Sequence, residues 1–146
     1  MSRASKLRLP IIITETGIAD EKDALRPQFL IDYLRVIVNS LDAGIDIRGF
    51  IVWTFKDNYE WNEGNKKHFG LFDAKGAPRS SASLYESLIK KMQPIFADGA
   101  LDKTQTIANL HAVLNHAEKH MLPQSNMDSK EYSQPPSGLN TCLLNA

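Results

Sequence analysis

The stretch IIITETG, residues 11–17, decides how this chain folds. Three β-branched residues run straight into a polar cluster that carries one carboxylate, Glu15, and closes on Gly17. Branched side chains fit a pleated surface. An apolar run without alternation is the pattern of a parallel strand covered on both faces. The spacing therefore predicts a strand from Ile11 to about Thr14, entered at Pro10, with Glu15 just past its end.

Outward from that strand comes a polar loop, TGIADEKDALR. Pro27 suits a first helical position, where the amide it lacks has no partner anyway. Phe29, Leu30, Tyr33, Leu34, Ile37, Val38 and Leu41 then form one helical stripe. DAGID ends the helix, with Gly44 as a left-handed cap. IRGFIVWT, residues 47–54, reads as a second strand. Strand, helix and strand at this length make a βαβ unit with parallel strands and a right-handed crossover. Parallel strands end at one common edge, so Glu15 and Trp53 are expected to face the same site.

After a loop rich in aromatics and charges, Ser80 or Ser81 is expected to cap a second helix. Its stripe is Leu84, Tyr85, Leu88, Ile89 and Met92. The character changes beyond Pro94. LDKTQTIANLHAVLNHAEKHML suggests a third amphipathic helix, and the polar tail from Pro123 reads as disordered. The expected division is a strand-helix-strand-helix unit over residues 1–96, then a helix and disordered tail over 97–146. No internal repeat is visible.

Composition narrows the function. The 146 residues suffice for one modest domain. Seventeen basic residues balance seventeen acidic ones, which gives no reason to expect nucleic acid or an anionic membrane as partner. No run approaches the roughly 18 apolar residues of a membrane span. The opening MSRASKLRLPIII has too short an apolar run for a signal peptide. Cys142 is the single cysteine, which fits a reducing compartment. The expectation is a cytoplasmic chain with no cofactor and no metal.

The chemistry-bearing residues cluster in WTFKDNYEW, residues 53–61. Indole faces stack on the apolar C–H faces of sugars, and carboxylates accept hydrogen bonds from sugar hydroxyls. Position alone leaves Glu15 open as either a solvated strand-end charge or a catalytic group. Trp53 at a strand end is open to a core role. Trp61, in a polar loop, suits one less well.

ITETG resembles the ITENG motif of glycoside hydrolase family 1, the retaining β-glycosidases. WTFKDNYEWNEGNKKHFGLF is similar to that family's W-S-x-x-D-N-x-E-W-x-x-G-x-x-x-R-F-G-L segment. The separations of Trp53, Glu60, Trp61 and Phe69 match, and GIADEKDALRPQFLIDYLRVI carries the family's D…R…YL pattern. The resemblance covers roughly Pro10 to Lys91. It implies an α/β fold: the last two βα units of a (β/α)8 TIM barrel, whose active sites sit at the C-terminal ends of the strands. It further implies that Glu15 is the nucleophile. Glu60 would hold the outer hydroxyls of the non-reducing sugar, Trp53 would form the platform near the cleavage point, Trp61 would contact the glycone and Phe69 would line the pocket. Asp57 and Asn58 would brace the loop. Thr16 stands in place of the usual Asn, and His68 in place of the usual Arg.

The implied activity is β-glucosidase or β-galactosidase chemistry in carbohydrate metabolism, on an unphosphorylated β-glycoside or oligosaccharide. Retaining hydrolysis needs a second carboxyl about 5–5.5 Å from the first. The family's T-x-N-E-P motif, which supplies it, does not occur in these residues. The chain is thus expected to be inactive alone. The alternative is a truncated, non-catalytic sugar-binding or interaction fragment. Open sheet edges invite self-association or pairing with the missing part of the barrel.

Overall fold

The computed structural model of the chain describes residues 6 and 8–121. The tail expected to be disordered from Pro123 onward lies outside the described residues. The elements run β1 (Ile11–Thr16), α1 (Arg26–Asp42), β2 (Ile47–Val52), α2 (Ser80–Ala97) and α3 (Lys103–Lys119). The two strands pair in parallel, with Ile11 opposite Ile47, Ile13 opposite Phe50 and Thr16 opposite Val52.

Two strand boundaries differ from the sequence reading. β1 continues through Glu15 to Thr16, because the Thr16 carbonyl accepts a 2.7 Å hydrogen bond from the Trp53 amide. β2 stops at Val52, so Trp53 opens the following loop. Coverage on both faces is also corrected. Tyr33 of α1 packs near Phe50 on one side, but Ile12 is 60% exposed and Ile51 54% exposed. Among the described residues no layer covers the face that carries these two residues.

α1 forms as its stripe requires, burying Phe29, Leu30, Tyr33, Ile37 and Val38, with Ile31 in addition. Its start is capped from a distance: Asp20 Oδ2 accepts from the amides of Leu25 (2.7 Å) and Arg26 (3.0 Å). At its end Gly44 takes φ +86°, the left-handed conformation open to glycine.

α2 is capped differently from expectation. Neither Ser80 nor Ser81 is the N-cap; Arg79 holds that position. Both serines turn to Asp23 instead, whose Oδ2 accepts from Ser80 Oγ and the Ser81 amide at 2.7 Å each. Pro94 does not end α2. It falls in the last turn, and the Asp98 amide closes that turn on the Pro94 carbonyl at 3.0 Å. Ile89, expected on the inner stripe, is exposed.

α3 starts with a capping box: Asp102 accepts from the Gln105 amide, and Gln105 reaches back to the Asp102 amide. It packs across α1 and α2 and buries Ile107, Leu110 and Leu114 against Val38, Leu88 and Met92. This is the main apolar core. A smaller one joins Leu30, Leu71 and Ala82 near the sheet.

Candidate active site

Both strands deliver their C-terminal ends to one edge, where two long loops meet. Glu15 stands on β1 next to that edge and is exposed. Gly17 follows because nothing larger fits: a Cβ there would lie 1.8 Å from the Trp53 carbonyl oxygen. The closing glycine of IIITETG therefore lets the two strand ends approach each other.

Trp53 is half-buried, and its indole Nε1–H donates to Glu60 Oε1 at 3.1 Å. The bond joins the expected aromatic platform to the expected sugar-binding carboxylate and leaves Glu60 Oε2 free to accept from a ligand. Glu60 is also fixed through its backbone, which pairs with Gly64 in a tight turn. Phe69 is half-buried, with its carbonyl accepting from the Thr54 amide at 3.3 Å. Trp61 is 90% exposed.

Asp57 braces the loop. Its side chain is almost fully buried and accepts from Arg79 Nη2 (2.7 Å), the Gly70 amide (2.7 Å) and His68 Nδ1 (2.9 Å). Burial alone would raise its pKa. The hydrogen bonds from Arg79, His68 and the Gly70 amide outweigh that and hold it down at about 2. His68 is thereby a loop-bracing residue.

Sequence reasoning missed how the two loops are pinned together. Arg26 is fully buried. Its guanidinium donates to the Asp20 carbonyl at 2.7 Å, to the His68 carbonyl at 2.6 Å and to Asp23. The Asp20 amide donates to the same His68 carbonyl at 2.9 Å. Arg26 thus ties the loop after Glu15 to the loop that carries Glu60 and Phe69. The signal was slight: an arginine just before a helix-opening proline.

An open apolar cavity of about 360 Å³ lies elsewhere, lined by Leu41, Ile45, Phe96 and Ile107 with Lys103 at its rim. It sits by the N-terminal end of β2, away from Glu15. Among the described residues no group of three or more metal-ligating side chains occurs, and no helix is long and apolar enough to cross a membrane.

The sequence profile of Glycosyl hydrolase family 1 matches residues 3–94, well over half the chain. The chain belongs to this family. A beta-galactosidase of Sulfolobus acidocaldarius is 41% identical over 63 residues, which is 43% of this chain and 13% of that protein. A chloroplastic galactolipid galactosyltransferase of Arabidopsis thaliana is 34% identical over 94 residues, 60% of this chain and 15% of that protein. Among solved structures, the beta-glycosidase from Pyrococcus horikoshii superposes with a TM-score of 0.59 at 35% identity, covering 70% of this chain and 26% of that one. The chain therefore spans only a small part of its family 1 relatives. Its α/β arrangement of two parallel strands and three helices corresponds to part of a family 1 barrel, and α3 lies beyond the matched residues.

Proposed function

We propose that this chain is the nucleophile-bearing segment of a retaining family 1 β-glycosidase that acts on β-glucosides or β-galactosides. The observation that carries this reading is the Trp53–Glu60 hydrogen bond, set at the same strand edge as Glu15. In the proposed reaction a Glu15 carboxylate oxygen attacks the anomeric carbon as the bond to the aglycone breaks. A covalent glycosyl-enzyme results, and water then attacks it to release the sugar. Glu60 Oε2 accepts from hydroxyls of the non-reducing sugar. Trp53 supplies the stacking platform, Phe69 lines the pocket and Trp61 folds over the glycone.

The leaving oxygen needs a proton, and none of Asp57, Glu60 and Glu63 is placed to give it. Asp57 is spent on Arg79 and His68, while Glu60 and Glu63 belong to the sugar loop. The acid/base must come from strands outside these residues, so the chain alone does not turn over. Among the described residues β1 and β2 pair only with each other, and the open edge this leaves on each strand supports pairing with such strands. The single cysteine, Cys142, supports a reducing, cytoplasmic setting.

A second outcome for the same intermediate follows from the galactosyltransferase similarity. A sugar hydroxyl in place of water would give transfer instead of hydrolysis. The test joins the preceding barrel portion of a family 1 β-glycosidase to this chain and measures aryl β-glucoside turnover. The expected result is activity in the joined protein, none in the 146-residue chain, and a loss of about a thousandfold or more with Glu15→Gln. Product analysis with an added sugar acceptor separates hydrolysis from transfer. Full activity in the Glu15→Gln protein would overturn the proposal.

A further inference from the structure

α3 ends on a feature that the sugar chemistry does not use. His116 and His120 stand four residues apart, so both project from one face of the helix. Their rings lie 4.3 Å apart, centroid to centroid, tilted by 44°. Both residues are exposed, which leaves their rings free to turn and leaves room for water ligands. The pair sits in the last turn, where the helix dipole favours positive charge. His120 is itself the C-cap, its amide donating to the carbonyls of His116 (3.3 Å) and Ala117 (3.2 Å).

We propose that His116 and His120 form a two-imidazole site for a borderline transition-metal dication, Cu(II), Ni(II) or Zn(II), which staples the last turn of α3. Imidazole nitrogen suits these ions, whereas Mg(II) and Ca(II) prefer oxygen. Metal–nitrogen bonds of about 2.0–2.1 Å let one ion reach two rings that already touch. Waters fill the remaining positions.

The surrounding charges act in both directions. Lys91 of α2, then His120, and to a smaller extent Lys119, hold the pKa of His116 below the ordinary histidine value. The same lysines repel a dication and limit its affinity. Glu118 offers little relief, because Arg35 holds its Oε2 at 2.9 Å.

The site lies outside the family match, in the helix that seals the outer faces of α1 and α2. A bound ion would resist fraying of that helix at its C-terminal end and stabilise the folded chain by mass action.

The test uses the full chain with Cys142→Ser, which removes the thiol as a competing ligand. Calorimetric titration with Cu(II), Ni(II) and Zn(II) at pH 7.5 should show one equivalent bound, with Cu(II) tightest. His116→Ala and His120→Ala should each weaken binding by about tenfold or more, a loss that even outer-shell partners of a metal site produce. His111→Ala, on a different face of α3, should leave binding unchanged. The unfolding midpoint should rise with metal in the parent and stay constant in the double variant, while circular dichroism confirms that the helix remains. Equal affinity in parent and double variant, or no Cu(II) binding at millimolar concentration, would overturn the proposal.

Discussion

The strand edge that carries Glu15 and the helical layer on the far side of α1 are built from different forces. At the edge, buried charge makes the connections. Arg26 joins Asp20, Asp23 and His68, while Asp57 joins Arg79, His68 and Gly70. In the helical layer, Leu88, Leu110 and Leu114 are almost wholly buried among apolar neighbours. The edge is open to ligand and the sheet face beside it is bare, whereas α3 closes the helical layer. Directional hydrogen bonds fix positions at the edge, and packing supplies cohesion behind it. A site that must hold two loops in register against a substrate gains from the first. A layer that only has to stay folded needs the second.

Breaking the edge should have the largest effect. Arg26→Met leaves Asp23 buried without its guanidinium partner and should lower stability by about 3–5 kcal/mol in urea unfolding. A cost below about 1 kcal/mol would mean that the network is not what holds the loops. The matching cut in the layer is Leu110→Ala, expected to cost about 3 kcal/mol through lost burial and the cavity left behind. That variant, made with Trp61→Phe so that Trp53 alone emits, sharpens the contrast if the fluorescence is unchanged while the unfolding midpoint falls. A shifted Trp53 signal would show that the two regions are coupled.

Acid tests the edge without mutation. The Asp57 carboxyl is held at about 2, against 3.8 for a free side chain. The native state therefore binds fewer protons than the unfolded one in that window. The stability Asp57 contributes is fully present above about pH 4 and is lost as pH falls towards 2. Unfolding free energy should decline over that range, and Asp57→Asn should flatten the slope. The smallest effect is expected at the start of α3, where Asp102→Ala removes the cap and should cost about 1 kcal/mol by thermal unfolding.

Much of the fold was legible because local pattern and fold agree. The branched run at Ile11–Ile13, the stripe from Phe29 to Leu41 and the left-handed Gly44 each announce their element. Placement of side chains over long range was not legible. The serines at 80 and 81 read as caps, yet Asp23 claims both hydroxyls from the loop after β1. Ile12 reads as core, yet no layer covers it among the described residues. α3 was visible as an amphipathic helix, but its stripe does not say which surface it covers. The Asp102–Gln105 box, in contrast, was available in the sequence as D-K-T-Q. In the site, the motif spacing grouped Trp53 with Glu60. No spacing rule showed that Arg26 reaches the His68 carbonyl, because that contact depends on how two loops fold over one another.

The most direct test of the central claim is covalent. A β-glucosyl fluoride bearing fluorine at C2 needs no proton on its leaving group and slows release of the glycosyl-enzyme. Incubated with the joined barrel, it should add one sugar mass to the peptide that carries Glu15, as read by mass spectrometry after digestion. That label should be absent from the Glu15→Gln protein. A sugar adduct on any other carboxylate, with turnover intact, would contradict the account.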